Sequence, residues 1–145
     1  MEEQPYISVI TLLRGEKEFI PLIKHNFQSF EYPQDKLELI IVDDGKVSLM
    51  DHFLEDDSIL YLHLNDTEIK EFIEKITFEN DKDDILKNYQ IKTKRLPNGF
   101  KRDYGVGMSS HEYFFHMDCD TSYHKSSISR KLKFLKDKKV ECVYN

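Results

Sequence analysis

Apolar residues follow two different periods in the first part of the chain. Residues 6–13 (YISVITLL) and 37–42 (LELIIV) are nearly continuous hydrophobic runs rich in β-branched side chains, as is typical of parallel strands that are buried on both faces. Between them, apolar residues recur at helical spacing from Phe19 to Phe30, and Pro21 fits the first turn of a helix. This order of strand, helix and strand predicts a βαβ unit with a right-handed crossover.

The rest of the chain contains further predicted strands and helices. The apolar run 59–64 predicts a third strand, and a helix is predicted from about 66 to about 78. The PNG sequence at 97–99 is a turn signal. The later predicted elements are a short helix over 105–112, a strand over 113–117, a helix over 126–138 and a strand over 140–144. The pattern as a whole predicts an α/β fold with a mostly parallel sheet flanked by helices.

The size and composition of the chain suit a single domain. Its 145 residues allow a modest core over 1–145. Hydrophobic residues make up 39% and charged residues 33%, which is polar for a folded domain but outside the range of disordered chains. Residues 55–84 are dominated by Asp and Glu, and we expect an exposed acidic elaboration there. The net charge of −6 argues against nucleic acid as a partner.

The sequence indicates a protein of a reducing compartment. No apolar stretch approaches the roughly 20 residues of a membrane helix, so we expect no transmembrane segment. The acidic start MEEQP does not resemble a secretory signal. Two cysteines, Cys119 and Cys142, form no disulfide framework. We therefore expect a cytoplasmic protein.

Paired carboxylates follow two of the predicted strands. Asp43 and Asp44 come directly after the second strand, and Asp118 and Asp120 follow the fourth. Open parallel sheets bind ligands beyond the carboxyl ends of their strands, and a continued strand would place Asp118 and Asp120 on one side and Cys119 on the other. Two facing carboxylates repel unless a cation lies between them, and Mg²⁺ and Mn²⁺ prefer oxygen ligands. The pattern indicates a divalent metal site, although the same aspartates also suit capping of the next turn.

The order of these motifs resembles that of family 2 glycosyltransferases, which have the GT-A fold. The matching segments are, in order, ISVI at 7–10, YP at 32–33, DDG at 43–45, KRDYG at 101–105, HEY at 111–113 and DCD at 118–120. The resemblance covers roughly 6–45 and 99–144. It implies a Rossmann-like GT-A nucleotide-binding domain, and we expect the chain to end before the acceptor-binding part of such an enzyme.

The resemblance implies a role for each matching aspartate. Asp44 is expected to accept a hydrogen bond from the base of a nucleotide, commonly uracil, while Asp43 supports the turn. Asp118 is expected near the ribose and the metal, and Asp120 as the main ligand of the ion that holds the diphosphate. Mn²⁺ or Mg²⁺ is the implied cofactor.

The resemblance also implies a reaction. An acceptor hydroxyl attacks the anomeric carbon of a nucleotide-sugar with inversion, and the metal stabilises the departing diphosphate. A UDP-sugar is the favoured donor and a GDP-sugar the alternative; neither the acceptor (glycan, lipid or protein) nor the general base is indicated. The segment with Lys101 and Arg102 is expected to pass near the nucleotide, where arginine suits a diphosphate.

Three positions depart from the family pattern. TLLRG at 11–15 stands where the family usually has Pro-Thr-Tyr-Asn, so Arg14 is expected to replace the usual contacts to the nucleotide electrostatically. Asp103 stands in place of the usual Asn, and His111 in place of the usual Gly. The base contacts after the first strand are therefore expected to differ from those of the family.

Other interpretations use the same part of the chain. His111, His116, Cys119 and His124 suit zinc by ligand type, but their spacing matches no standard zinc module. The GVG at 105–107 lacks the third glycine of a dinucleotide loop and does not follow the first strand. The main alternative to an enzyme is a nucleotide-sugar-binding or protein-interaction domain of the same fold without turnover.

Overall fold

The structure is a computed structural model that describes residues 4–79 and 96–143. Its strands and helices are interspersed along the chain, as the hydrophobic pattern predicts. In chain order they are β1 (Ile7–Leu13), α1 (Ile20–Ser29), β2 (Leu37–Asp43), β3 (Ile59–His63), α2 (Asp66–Glu79), α3 (Asn98–Gly107), β4 (Tyr113–His116) and α4 (Ser127–Asp137). None of the helices within these described ranges is long and apolar enough to cross a bilayer.

The strands of the described ranges form one parallel sheet in the order β3-β2-β1-β4. Leu13 at the end of β1 pairs with Asp43 at the end of β2, and Asp43 in turn pairs with His63 at the end of β3. β4 pairs with the first half of β1, where His116 lies opposite Ile10. The carboxyl ends of the strands therefore point to the same edge of the sheet.

Helices cover both faces of this sheet. On one face, α1 and α4 pack through a buried cluster that includes Ile23 and Ile128. On the other face, α2 and α3 pack through a second cluster that includes Ile69, Phe100 and Tyr104. The predicted α/β architecture, with a parallel sheet between helical layers, is confirmed.

Helix α3 lies close against the sheet because Gly105 has no side chain. A Cβ atom at Gly105 would lie 3.0 Å from Ile10 Cγ2 and 3.3 Å from Val42 Cγ2. This close packing places the first turn of α3 at the carboxyl ends of β1 and β2, where Lys101 is buried.

The start of α3 differs from the prediction. The helix begins at Asn98, so the turn predicted at 97–99 was wrong, and the helix predicted over 105–112 was placed too late in the chain. Residues 105–107 form the end of α3 rather than a loop. Phe100 packs against Phe72 of α2 with ring centroids 5.2 Å apart. This tertiary contact and the burial of α3 outweigh the local turn preference of Asn-Gly.

The last predicted strand was also wrong for the residues that the structure describes. Residues 140–143 form no strand; Lys139 has a φ of 53° and the Val140 amide donates to Leu135 O at 3.1 Å. The chain therefore turns back onto the end of α4.

The acidic stretch 55–84 contains both β3 and α2. Tyr61 and Ile69 within it are buried, so this stretch supplies part of the sheet and of the core. Its residues 80–84 lie outside the described residues.

Candidate functional site

The turns that follow β1 and β2 touch each other at the carboxyl edge of the sheet. A Cβ atom on Gly45 would lie 2.5 Å from the Gly15 nitrogen and 2.6 Å from Gly15 Cα, which is closer than atoms can pack. Gly15 has a φ of 82°, in the left-handed region that favours glycine. The two glycines allow the turns to meet, and the contact brings Arg14 next to Asp44.

Asp43 joins these two turns and is buried. Its Oδ1 accepts from the backbone amides of Gly15 at 2.9 Å and Gly45 at 2.8 Å. Its Oδ2 accepts from the hydroxyl of Tyr61, and that hydroxyl accepts from the Leu49 amide at 2.9 Å. Burial, and secondly the bond to Asp43, raises the pKa of Tyr61. Both carboxylate oxygens of Asp43 are therefore used within the protein, and the structure places this residue inside the turn.

Asp44 lies beside Asp43 and forms an ion pair with α3. Lys101 Nζ donates to Asp44 Oδ1 at 2.8 Å and to Leu13 O at 2.7 Å. The two side chains are 1% and 0% exposed. Burial lowers the pKa of Lys101, and Asp44 opposes that effect. The sequence placed Lys101 towards the substrate, whereas the structure directs it inward onto Asp44.

Arg14 covers the other side of this pair. Its Nε lies 3.6 Å from Asp44 Oδ1, and its Nη2 donates to Leu96 O at 2.7 Å. Among the described residues, Arg14 Nε and Asp44 Oδ2 are buried side-chain atoms that have no hydrogen-bond partner. The Asp44 carboxylate thus keeps one unused oxygen.

Two cavities lie at this edge of the sheet, and Arg14 borders both of them. The smaller one, called the small cleft below, has a volume of about 200 Å³ and is lined by Arg14, Glu16, Asn98, Lys101, Arg102, His116, Asp118, Cys119 and Asp120, together with apolar residues of β1 and Met117. The larger one, called the large groove, has a volume of about 1260 Å³ and is lined mainly by Asp44, the turns after β1 and β2, His52 and the first part of α2. Arg14 is the residue that belongs to both linings.

Asp118 and Asp120 lie in the wall of the small cleft. The Asp118 amide donates to the Tyr123 hydroxyl at 2.8 Å, and Thr121 Oγ1 lies 3.3 Å from Asp120 Oδ1. Cys119 lines the same cleft, and the continued strand that would place it on the side opposite to the two aspartates is not formed. The reason is that β4 ends at His116 and residues 119 and 120 form a turn. Burial, and secondly Glu16, raises the pKa of Cys119 to about 11.

Asp118 and Asp120 are the two aspartates of the small cleft that could hold a metal ion. Both are exposed, and within 4–79 and 96–143 no group of three or more His, Cys, Asp or Glu side chains is arranged to hold a metal. Mg²⁺ is commonly held by one or two carboxylates, with water and substrate phosphates filling the other positions. The donor set therefore suits Mg²⁺ or Mn²⁺ together with a phosphate-bearing ligand, whereas the zinc set of three histidines and Cys119 does not form.

The first turn of α3 also lines the small cleft. Asn98 and Arg102 line it, and Arg102 is half-buried. His116 also lines this cleft, and burial followed by the nearby charge of Arg102 lowers its pKa. The cation of Arg102 and the carboxylates of Asp118 and Asp120 thus line the same cleft.

Three partners in the site were missed by the sequence reasoning. Glu16 Oε1 accepts from the Arg14 amide, Leu96 O holds the Arg14 guanidinium, and Tyr61 holds Asp43. Tyr61 and Leu96 are distant in sequence from the residues they contact. A backbone carbonyl carries no sequence signal, and the apolar pattern around Tyr61 indicates only a strand.

The comparisons with known proteins identify the fold. A scan against protein-family models found no match, and a search of curated protein sequences found none either. Among solved structures, S. aureus TarS residues 1–349 in complex with UDP matches with a TM-score of 0.60 and 13% identity, over 90% of this chain and 32% of that chain. A structure of S. aureus TarS matches with a TM-score of 0.57 and 14% identity, over 90% of this chain and 19% of that chain.

The fold of this chain is similar to that of TarS over most of the chain. At 13% and 14% identity the likeness concerns the fold alone, and the chain spans about a third or less of the length of the TarS chains it matches.

Proposed function

We propose that this chain is the donor-binding part of a family 2-type glycosyltransferase, which binds a nucleotide-diphosphate sugar through a divalent metal and transfers the sugar with inversion. The observation that carries the proposal is the position of Arg14, shared by the linings of the large groove and the small cleft. Asp44 lies on one side of it and the Asp118–Asp120 pair on the other. This order suits a ligand with a base at one end and a diphosphate at the other.

Asp44 is the proposed acceptor for the base. Its Oδ1 is taken by Lys101, while its Oδ2 has no hydrogen-bond partner among the described residues. A buried acceptor without a partner is unfavourable unless a ligand completes it. The imino N–H of uracil is such a donor. A UDP-sugar is therefore the preferred donor substrate, and the presence of UDP in a TarS structure supports this choice.

Asp120 and Asp118 are the proposed metal-binding residues. Asp120 is the main ligand to Mn²⁺ or Mg²⁺, and Asp118 lies towards the ribose and the ion. The bound ion supplies Lewis-acid stabilisation of the charge that develops on the departing diphosphate. Arg102 and Arg14 add positive charge to the same cleft, where a guanidinium can bind phosphate oxygens in pairs.

Lys101, from the segment expected near the nucleotide, and Asp43, which is expected to support the turn, have positioning roles in this proposal. Lys101 holds the Asp44 carboxylate, and Asp43 holds the turns on which Arg14 and Asp44 lie. The charged groups of both residues are engaged in these contacts within the protein. No residue of this chain is assigned as the general base for the acceptor hydroxyl.

Isothermal titration calorimetry with UDP tests the proposal. We expect binding in the presence of Mn²⁺, and a loss of about tenfold or more in affinity, equal to about 1.4 kcal/mol, when the metal is chelated or in Asp120→Ala. The exposed Asp137 at the end of α4 provides the matched control, and Asp137→Ala should bind as the wild type does. GDP should bind more weakly than UDP.

Two outcomes would contradict different parts of the proposal. Unchanged UDP affinity in Asp120→Ala with chelator present would overturn the metal assignment. No UDP binding by the wild type with Mn²⁺ would overturn the nucleotide site. A donor-hydrolysis assay with UDP-sugars then distinguishes an enzyme from a domain that only binds the donor.

A further inference from the structure

We propose that Arg14 makes this site selective for nucleoside diphosphates over nucleosides, because its guanidinium covers Asp44 until a diphosphate draws it away. This inference rests on the proposed donor site. It assigns to Arg14 a second role besides contact with the ligand, as the side chain that separates the base-binding and phosphate-binding cavities.

The covering position is defined by three contacts. Arg14 Nη2 donates to Leu96 O at 2.7 Å and lies 3.4 Å from Asn98 Oδ1. Arg14 Nε lies 3.6 Å from Asp44 Oδ1. The side chain thus reaches from the turn after β1 to the start of α3, across the boundary between the large groove and the small cleft.

The same position leaves two polar atoms unsatisfied. Arg14 Nε and Asp44 Oδ2 are buried without a hydrogen-bond partner among the described residues. A buried polar atom without a partner is unfavourable. The contact between Arg14 and Asp44 therefore adds little to the stability of the conformation in which Arg14 covers Asp44.

Departure of Arg14 would leave Asp44 paired. Lys101 Nζ stays within 2.8 Å of Asp44 Oδ1 and is buried by α3, so it continues to neutralise the carboxylate. The Arg14 side chain is 26% exposed and borders open space in both cavities, so it can move without disturbing the core. Asp44 and Arg14 both line the large groove, so moving Arg14 would open Oδ2 towards that groove without creating an uncompensated buried charge.

A bound diphosphate would replace the hydrogen bonds that Arg14 loses when it moves away from Asp44. Phosphate oxygens accept paired, charge-assisted hydrogen bonds from a guanidinium, and the metal proposed at Asp118 and Asp120 would place the diphosphate in the small cleft that Arg14 lines. A nucleoside carries no phosphate, so when it displaces Arg14 from Leu96 O the guanidinium gains no new hydrogen bonds. The conformation in which Arg14 has left Asp44 is then the one that binds ligand. The affinity for a nucleoside is lowered by the free energy needed to populate that conformation.

Calorimetric titration of uridine and of UDP with Mn²⁺ into wild type and Arg14→Ala tests this inference. We expect Arg14→Ala to bind uridine at least about fivefold more tightly than wild type, because the covered state is removed. We expect the same variant to bind UDP about tenfold or more weakly, because a charge-assisted contact to phosphate is lost. The matched control is Lys133→Ala, which removes a positive charge from an exposed position of α4 outside the linings of both cavities and should leave uridine affinity unchanged.

Failure of the inference differs from failure of the proposed function. If wild type binds UDP and Arg14→Ala binds uridine no better than wild type, Arg14 is only a phosphate ligand and the covering role is wrong. If wild type binds no UDP with Mn²⁺, the donor site itself is wrong, and the inference falls with it.

A second variant and a spectroscopic measurement test the inference even if Arg14→Ala is poorly folded. Arg14→Lys keeps the charge but lacks the guanidinium that reaches Leu96 O, so its uridine affinity should rise while part of its UDP affinity remains. In ¹⁵N spectra of wild type, the Arg14 Nε–H signal, assigned by its loss in Arg14→Lys, should shift strongly with UDP and Mn²⁺. If UDP binds but the Arg14 Nε–H signal does not shift, the proposed movement of Arg14 is wrong.

Discussion

Lys101 and Asp44 form a buried ion pair that joins the first turn of α3 to the turn after β2. The Nζ–Oδ1 distance is 2.8 Å, and the two side chains are 1% and 0% exposed. Lys101 also donates to Leu13 O, so a single ammonium group ties α3 to the ends of both β1 and β2. The position of the Asp44 carboxylate therefore depends on how α3 packs.

Removal of one partner should destabilise the fold strongly. We expect Lys101→Met to lower the free energy of unfolding by about 3–5 kcal/mol, because the Asp44 charge is left buried without compensation. Urea denaturation followed by circular dichroism measures the change. The double variant Lys101→Met with Asp44→Asn should recover much of the loss, since it removes both charges. Lys133→Met at an exposed position of α4 is the control, and a similar loss there would refute the explanation.

Alanine at Gly45 should disrupt the contact between the two turns. A Cβ atom there would meet the backbone of Gly15 at 2.5 Å and 2.6 Å, and backbone cannot move aside as a flexible side chain can. We expect Gly45→Ala to destabilise the protein by about 2 kcal/mol or more and to weaken UDP binding. A Cβ atom on Gly99, in the first turn of α3, would meet nothing within 4 Å, so Gly99→Ala should be neutral or stabilising by up to about 1 kcal/mol. Thermal or urea unfolding of the two variants provides the comparison, and equal losses would contradict it.

The hydroxyl of Tyr61 should contribute to stability through Asp43. Tyr61→Phe removes a donor to Asp43 and leaves the buried Leu49 amide without its acceptor. We expect a loss of about 1–3 kcal/mol in the free energy of unfolding. Tyr6→Phe removes a hydroxyl from a side chain that is 51% exposed and should change stability by less than about 0.5 kcal/mol. If both substitutions have the same small effect in urea denaturation, the hydrogen-bonded chain from Leu49 to Asp43 adds no stability.

Alkaline pH should destabilise the fold through Tyr32. Burial, and secondly Tyr113, raises the pKa of Tyr32 from 10.0 to about 12, and its hydroxyl donates to Pro5 O. Below pH 10 the phenol is neutral in both states, so its stabilising contribution is fully present. As the pH rises from 10 towards 12 the unfolded chain loses this proton first, and the contribution falls.

Urea denaturation at a series of pH values checks this dependence. The stability difference between wild type and Tyr32→Phe should narrow as the pH rises from 10 towards 12, because the variant has no phenol to ionise at this position. A difference that stays constant over this range would show that Tyr32 ionises equally in both states.

The sequence predicted the elements whose hydrophobic pattern is long and regular. β1, β2 and α1 lie within one or two residues of their predicted ranges, because buried parallel strands and an amphipathic helix have distinct periods. The prediction failed at α3 and at 140–143. The first turn of α3 contains Asn98 and Gly99, which favour turns in isolation, and its helical state depends on contacts with α2 and the sheet.

The candidate site was predictable only where a motif stands at the end of a strand. Asp44, Asp118 and Asp120 could be named because the carboxyl edge of a parallel sheet is a usual place for ligands. The inward direction of Lys101 could not be named, since adjacent residues in KRDYG differ only in the rotational phase of a helix. That phase is set by the contact of Gly105 with Ile10 and Val42.

The amino-acid sequence by itself determined the parallel α/β sheet, because the periods of its hydrophobic residues are local. It also determined the carboxylates at the edge of the sheet, because they directly follow the predicted strands. Tertiary structure alone decided which charges neutralise one another. Arg14, Asp44 and Lys101 come from three separate segments, and their distances of 3.6 Å and 2.8 Å exist only once α3 packs on the sheet and Gly45 meets Gly15. The physical reason is that burial and the directions of side chains depend on contacts between segments, which no local pattern contains.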